Sequence, residues 1–535
     1  MQIISKAEWP IKRLILASAT FLLLTIVLSL IATTGIIVPF LREIISLVLL
    51  TFIPGSLALR VFRIQNIGLI ETLLYSVGLS LVFNYVVGAA ANFLLPFFHV
   101  ARPMDLPWVM GVFSVLLAVL GLIAYLIGRR PSPIPVNHSH GKSFHSELST
   151  HINSYLLGIL PVVIAIMASS WLNRYGNPAF FFILVFIVAA VIVLTALKRL
   201  LTQKVYQVMI FSLALALVYK TTLISSNLVG SDIHGEYYIS NQVLVKGWWD
   251  TTIPLLLNSC MSITLLTPLY STITGINIVW LFKTVFPAIF AFMPLALYRV
   301  FRLQTSPRLA FLSTLFFIAM PMFTMDMAQL IRQQISELFF ALVVLVLVER
   351  RLSMLQRGIM VILMGTGAIV SHYGMGTGYA GYILITCLLI ILMKSSLGKA
   401  IWHFVTGNKG RLPPDAYSPG ALHWTILILI SVLTIGFMLA YYGSVAGGTA
   451  LAGPQNARGA LTALVPQGGA NPWLNLLNVS GKEQLTQTAL GLDFADASAV
   501  GKAWRIIQYL VEIFLIIGLI RLLLRPLEFG EKIKC

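Results

Sequence analysis

The stretch GSDIHGEYY at residues 230–238 places Asp232, His234 and Glu236 within five positions, with Tyr237 and Tyr238 beside them. Carboxylates four residues apart share one face of a helix. On an extended strand Asp232, His234 and Glu236 all point the same way. Either geometry brings the two acids together. Such a pair suits a hard divalent cation, Mg2+ or Mn2+, which takes oxygen ligands and neutralises phosphate. It equally suits a carboxylate acting as general base on an acceptor hydroxyl. The plain alternative is a solvated loop with unrelated charges. An imidazole between two acids, with two tyrosines alongside, argues for the reactive reading.

Further residues of the same kind lie downstream. In FTMDMAQLIRQQISELFF, residues 323–340, Asp326 supplies a third carboxylate, and Asp232, Glu236 and Asp326 together form the expected metal set. Arg332 carries a planar fork that grips phosphate bidentately. Glu337 falls inside the apolar zone, as does Lys283 in INIVWLFKTVFPAIF. A charge at such depth is costly and calls for a partner. Three arrangements remain open: Lys283 paired with Glu337, Lys283 on a lipid phosphate, or a lysine that merely snorkels. In IVSHYGMGTGYAGY, residues 369–382, His372 and Tyr373 stand between two helices. His372 is a phosphate or metal contact, or a hydrogen-bonded packing residue. Trp248 and Trp249 read first as anchors at a water–lipid boundary and second as faces on which a sugar can stack. No Rossmann fingerprint, P-loop, HExxH or GxSxG element points to another chemistry.

The elements that must position these residues are membrane helices. Of the 535 residues 58% are hydrophobic and only 10% charged, with a mean hydropathy of +0.91. A soluble core cannot absorb that much apolar surface, so lipid is the solvent for much of the chain. The pattern predicts an all-α polytopic membrane protein of roughly fourteen transmembrane helices, each about 20 residues long. They are expected near 14–33, 43–60, 68–96, 107–127, 154–172, 178–197, 205–225, 275–299, 308–322, 332–350, 357–370, 376–393, 421–442 and 504–522. Three scattered cysteines exclude a disulfide framework or a zinc site.

The net charge of +18 reflects the positive-inside bias of a membrane protein and not nucleic-acid binding. With both termini cytoplasmic, about 25 of the 36 basic residues fall in inner loops. Asp232, Asp326 and the SHYG turn then all face outward. An inner stretch, 128–153, carries His138, His140, His145 and His151 and reads as a flexible loop, with metal binding as the alternative. The division expected is an N-terminal membrane region over 1–204 and a catalytic module over 205–535, with outer loops 226–273 and 443–503. The second loop is long enough to act as a lid.

The order of these parts resembles the GT-C superfamily of integral-membrane glycosyltransferases. The helix at 205–225 followed by DIHGE looks like their first outer loop with its catalytic acid, and Asp326 in TMDMAQ looks like the acid of their second. GSDIHGEYY, RQQISELFF and SHYG also resemble elements of an uncharacterised prokaryotic family of multi-pass membrane proteins with GT-C-like character. The resemblance covers 205–442 best. It departs from the family in having DxHxE where a strict DxD would stand. It implies sugar transfer from a polyprenyl-phosphate-linked donor to a glycan, lipid or protein acceptor, outside the plasma membrane, in cell-envelope polysaccharide biosynthesis. Asp232 would be the base, with Glu236, His234 and Asp326 as helpers or metal ligands. Arg332, Lys283, His372, Tyr373 and Glu337 would lie at the phosphate. A transporter or flippase of lipid-linked sugars, using Lys283 and Glu337 as a pathway, is the rival reading. A polymerase of lipid-linked glycans without the GT-C fold is a second.

Overall fold

A computed structural model of the chain describes residues 10–35, 40–128, 144–197, 205–320, 322–397, 424–451 and 498–524, with the single residues 38, 400 and 494; side-chain detail in the fifth helix starts at Gly158. His138 and His140, the side chains of His145 and His151, and nearly all of the loop 452–497 lie outside these described residues.

Every regular element among the described residues is helical. The helices are α1 (Ile11–Thr33), α2 (Leu41–Val61), α3 (Leu69–Leu94), α4 (Leu106–Gly128), α5 (Phe144–Tyr175), α6 (Ala179–Ala196), α7 (Tyr206–Thr222), α8 (Asp232–Lys246), α9 (Thr267–Thr274), α10 (Ile278–Trp280), α11 (Phe286–Phe290), α12 (Phe292–Gln304), α13 (Pro307–Ala319), α14 (Ile331–Val348), α15 (Met354–Ser371), α16 (Tyr373–Lys394), α17 (Trp424–Ser444) and α18 (Ala499–Leu524). Eight among the described residues are long and apolar enough to cross a membrane, counting α10 to α12 as one continuous span, Ile278–Gln304. A ninth arises if α13 and the bent segment Met322–Gln329 form one broken span. The protein is an all-α, membrane-embedded chain. Exposed apolar side chains such as Leu16, Leu23, Phe182, Phe186 and Val432 suit a lipid solvent.

Residues 1–387 and 419–452 form one compact unit, which takes in helices on both sides of residue 204; residues 388–418 and 453–535 form a second. Close packing in the first depends on polar repairs. Pro54 lies inside α2 and cannot donate to the carbonyl of Leu50, which would be left bare in hydrocarbon. Asn84 of α3 donates to that carbonyl at 3.0 Å. The next amide, Gly55 N–H, donates to Ser80 Oγ at 2.9 Å. A Cβ on Gly55 would fall 1.9 Å from the Ser76 carbonyl, so only glycine permits this approach of α2 to α3.

The first unit has two distinct polar ends. At one, Glu71 at the start of α3 accepts from Arg299 and from Arg351, the latter at 2.5 Å, and Glu349 accepts from Arg351 at 2.6 Å. Arg357 donates to the Glu349 carbonyl at 2.8 Å. Glu71, Glu349, Arg299 and Arg357 are all buried. These residues lie in segments expected to be inner from basic-residue bias alone. The other end holds the start of α14, the 98–106 connection, α8 and the turn at 372. Three π-helical turns, Ser262–Leu266, Leu281–Val285 and Met322–Asp326, lie in elements packed around α7 and α8. The first two lead directly into Pro268 and Pro287, whose missing N–H breaks the regular ladder.

Candidate active site

α8 begins at Asp232, so the helical alternative holds and Asp232 and Glu236 share a face. Gly230 has φ +121°, and a Cβ there would fall 2.2 Å from Gln329 Oε1. Glycine thus lets the chain pass close to the 327–330 turn and enter α8 with both carboxylates aimed at α14.

Arg332 receives them. One guanidinium nitrogen donates to Glu236 Oε1 at 2.6 Å and the other to Asp232 Oδ2 at 2.7 Å. The second Glu236 oxygen accepts from the Ile331 backbone N–H at 2.8 Å. That N–H opens α14 and has no partner within the helix, so the carboxylate caps the helix where its dipole is positive. Glu236 is fully buried, whereas the Asp232 side chain is 50% exposed. Burial raises the Glu236 carboxyl to about 7, against the opposing pull of the Arg332 charge and the Ile331 N–H.

His372 and Tyr373 complete the cluster. The His372 ring stacks on Tyr373, with centroids 4.8 Å apart and planes 21° apart. The Arg332 guanidinium lies over the other aromatic neighbour, 6.0 Å from the Tyr373 ring centre, the outer range of a cation–π contact. His372 Nδ1 accepts from the Met375 N–H at 2.9 Å, which leaves the ring proton on Nε2. Burial, helped by the positive charge of Arg332, pushes the imidazole down to about 3. His372 is therefore a neutral hydrogen-bond donor at working pH. Tyr442 of α17 steadies this turn by donating to the Ile369 carbonyl at 2.9 Å.

Other expected residues sit elsewhere. His234 is exposed, two residues from the buried Glu236; at helical spacing that places it on the opposite face, so it does not join the carboxylates. Asp326 closes the π-helical turn and is part-exposed. Lys283 and Glu337 do not pair. The buried Lys283 ammonium donates to the carbonyls of Ser225 and, at 3.3 Å, Asn227, and lies 5.4 Å from the Trp280 ring centre. It pins the loop leading to Asp232. Glu337 accepts from Gln333 one turn earlier, at 3.0 Å.

The expected metal set does not fit this arrangement. Both Glu236 oxygens are engaged by Arg332 and Ile331, and Asp232 by Arg332 and, at 3.3 Å, Ser231. Among the described residues no three His, Cys, Asp or Glu side chains cluster to hold a metal ion. The guanidinium stands where a cation between the carboxylates would be.

Several supporting residues carry no signal in the sequence. Cys260 is buried against the site, accepts from the Tyr373 N–H, and has its thiol raised to about 11 by burial, so it is a neutral packing group. Asn92 of α3 grips the backbone of Trp249 from both sides, accepting at 2.7 Å and donating at 3.1 Å. Arg102 donates to the Val245 carbonyl at 2.9 Å, at the C-terminal end of α8. Comparison of the chain with family models, with curated proteins and with solved structures found no match.

Proposed function

We propose that the protein is a membrane glycosyltransferase of GT-C type. It moves a sugar from a polyprenyl-phosphate-linked donor to an acceptor hydroxyl on a glycan, lipid or protein, at the extracytoplasmic face of the plasma membrane. In this reading the chain crosses roughly fourteen times, by the sequence pattern, with both termini cytoplasmic. The observation that carries it is the division between the two carboxylates bridged by Arg332: one is half-exposed, the other sealed.

Asp232 is the acid a substrate can reach. It takes the proton of the acceptor hydroxyl as that oxygen attacks the anomeric carbon and the sugar–phosphate bond breaks. Glu236 cannot touch substrate; it fixes the arginine fork that orients Asp232. His372 offers its Nε2 proton as a neutral hydrogen bond to developing negative charge on the departing phosphate oxygen. The grouping of Arg299, Arg351 and Arg357 at the end away from α8 supports the proposed orientation. The alternative is a flippase of lipid-linked sugars with Lys283 and Glu337 as a pathway; the two side chains do not pair with each other.

The test is transfer of radiolabelled sugar from polyprenyl-phosphate donors by purified protein in lipid. Wild type should transfer, Asp232→Asn should lose at least about a hundredfold, and EDTA should leave the wild-type rate unchanged. Normal transfer by Asp232→Asn would remove Asp232 as base. Inhibition by EDTA, reversed by Mn2+, would restore a metal to the carboxylate pair.

A further inference from the structure

α8 leads away from the reactive corner with a polar stripe. His234, Tyr238, Gln242 and Lys246 recur every four residues and so share a face. Tyr238 is 57% exposed, and His234 and Lys246 are exposed as well. The stripe spans about 18 Å from His234 to Lys246 at helical rise. It ends at Trp248, which is 41% exposed.

The Trp248 side chain borders two cavities. One, of about 110 Å3, is lined by Tyr238, Gln242, Lys246 and Asp250. The other, of about 370 Å3, is lined by Asn92, Phe93 and Trp249. The scaffold around them is fixed. Trp249 is buried, its backbone is held by Asn92, and its indole N–H donates to Asn258 at 3.0 Å. Asn258 donates in turn to the Asp250 carbonyl at 2.8 Å. The Met104 N–H donates to the Gly247 carbonyl at 2.8 Å.

A tryptophan serving only as a lipid anchor needs apolar neighbours on its buried side and headgroups on the other. Trp248 borders such apolar neighbours, Val243 and Leu255 on one side and Phe93 and Pro96 on the other, but shares its smaller cavity with an amide, an ammonium, a carboxylate and a phenol as well. Flat apolar faces ringed by hydrogen-bonding groups of both kinds match a pyranose, which has an apolar C–H face and hydroxyls at its rim.

We propose that Trp248 is the stacking face of a sugar-binding site formed by the two cavities it borders, and that a glycan held there lies along the polar stripe of α8. The binding part stands on these cavities alone; the assignment of the glycan as acceptor rests on the transfer reading above.

The experiment is binding of the full chain, in lipid nanodiscs, to an array of defined neutral and anionic oligosaccharides. Wild type should bind at least one structure, Trp248→Ala should weaken that binding tenfold or more, and Gln242→Ala should weaken it severalfold. Trp108→Ala, an exposed tryptophan bordering neither cavity, should bind as wild type. Binding that depends on Trp248 in a protein without transferase activity would keep the sugar site and discard the transfer reading. Wild type binding no glycan, Trp248→Ala binding normally, or Trp248→Ala losing only co-purified lipid would each overturn the sugar site.

Discussion

Replacing Glu236 by glutamine separates the two contributions that meet in the buried ion pair. Burial favours the neutral acid; Arg332 and the Ile331 N–H favour the anion. Burial prevails, and the carboxyl stands at about 7 against its ordinary 4.5. A group whose folded-state value is raised stabilises the fold fully below its unfolded value, and that contribution is lost as pH rises through the folded value. The window is therefore pH 4.5 to just above 7. The shift corresponds to about 3 kcal/mol. Glutamine mimics the protonated acid and has no such loss. Wild type minus Glu236→Gln stability should thus fall by about 3 kcal/mol between pH 4.5 and pH 8. Tryptophan fluorescence in detergent can follow unfolding across this range, because Trp249 is buried and the signal needs no thiolate, which is scarce at the acid end. A difference that stays flat with pH would refute the reasoning. A difference that rises with pH would show that the ion pair outweighs burial, reversing the sign.

Arg332→Lys replaces a fork by a point charge that cannot bridge Asp232 and Glu236. Sugar transfer should fall about a hundredfold or more, while Arg332→Met, which strands a buried acid, should cost about 3–5 kcal/mol in the same unfolding assay. Because His372 is held near 3, it does not titrate between pH 5 and 8, so His372→Gln should lower the transfer rate without altering the shape of the pH–rate profile there. Gly376→Ala puts a Cβ 2.2 Å from the Tyr442 hydroxyl and 2.8 Å from the Ile369 backbone. It should destabilise by about 1–3 kcal/mol. Adding Tyr442→Phe should recover part of that loss, a coupling read by comparing the double variant with the two singles.

The eight long spans among the described residues were legible because each is a long apolar run, whereas the polar helix α8 lies in what the sequence offered as an outer loop; that Asp232 and Glu236 share a face was legible because four-residue spacing is a helix period. The same spacing rule excludes His234 once the segment is known to be helical, a choice the sequence left open. The bridge to Arg332 was not legible. It joins positions 96 and 100 residues apart, and an arginine beside an outer loop reads as a phosphate ligand until its partners are seen. Lys283 misled for a related reason: its partners are backbone carbonyls, which every residue carries and no sequence marks. Repairs such as Asn84 on the Leu50 carbonyl are hidden in the same way. The bends at the π-helical turns depend on how helices meet around α7 and α8.

The position of Arg332 gives the site its logic. Two carboxylates this close repel, and a cation between them offsets that repulsion, although burial still lifts Glu236 to about 7. A metal ion would do this only while bound and would compete for the carboxylate oxygens. A guanidinium stays charged at any working pH, is part of the chain, and takes a single oxygen from Asp232 while burial keeps Glu236 out of reach. The two acids, equivalent in sequence, are thereby made unequal: the sealed one holds the arginine, and the half-exposed one is left able to accept a proton. If that is the division of labour, exchanging the pair as Asp232→Glu with Glu236→Asp should not restore transfer. The shorter buried acid would draw Arg332 away from the fork geometry, and the double variant should be as inactive as Arg332→Lys in the same transfer assay.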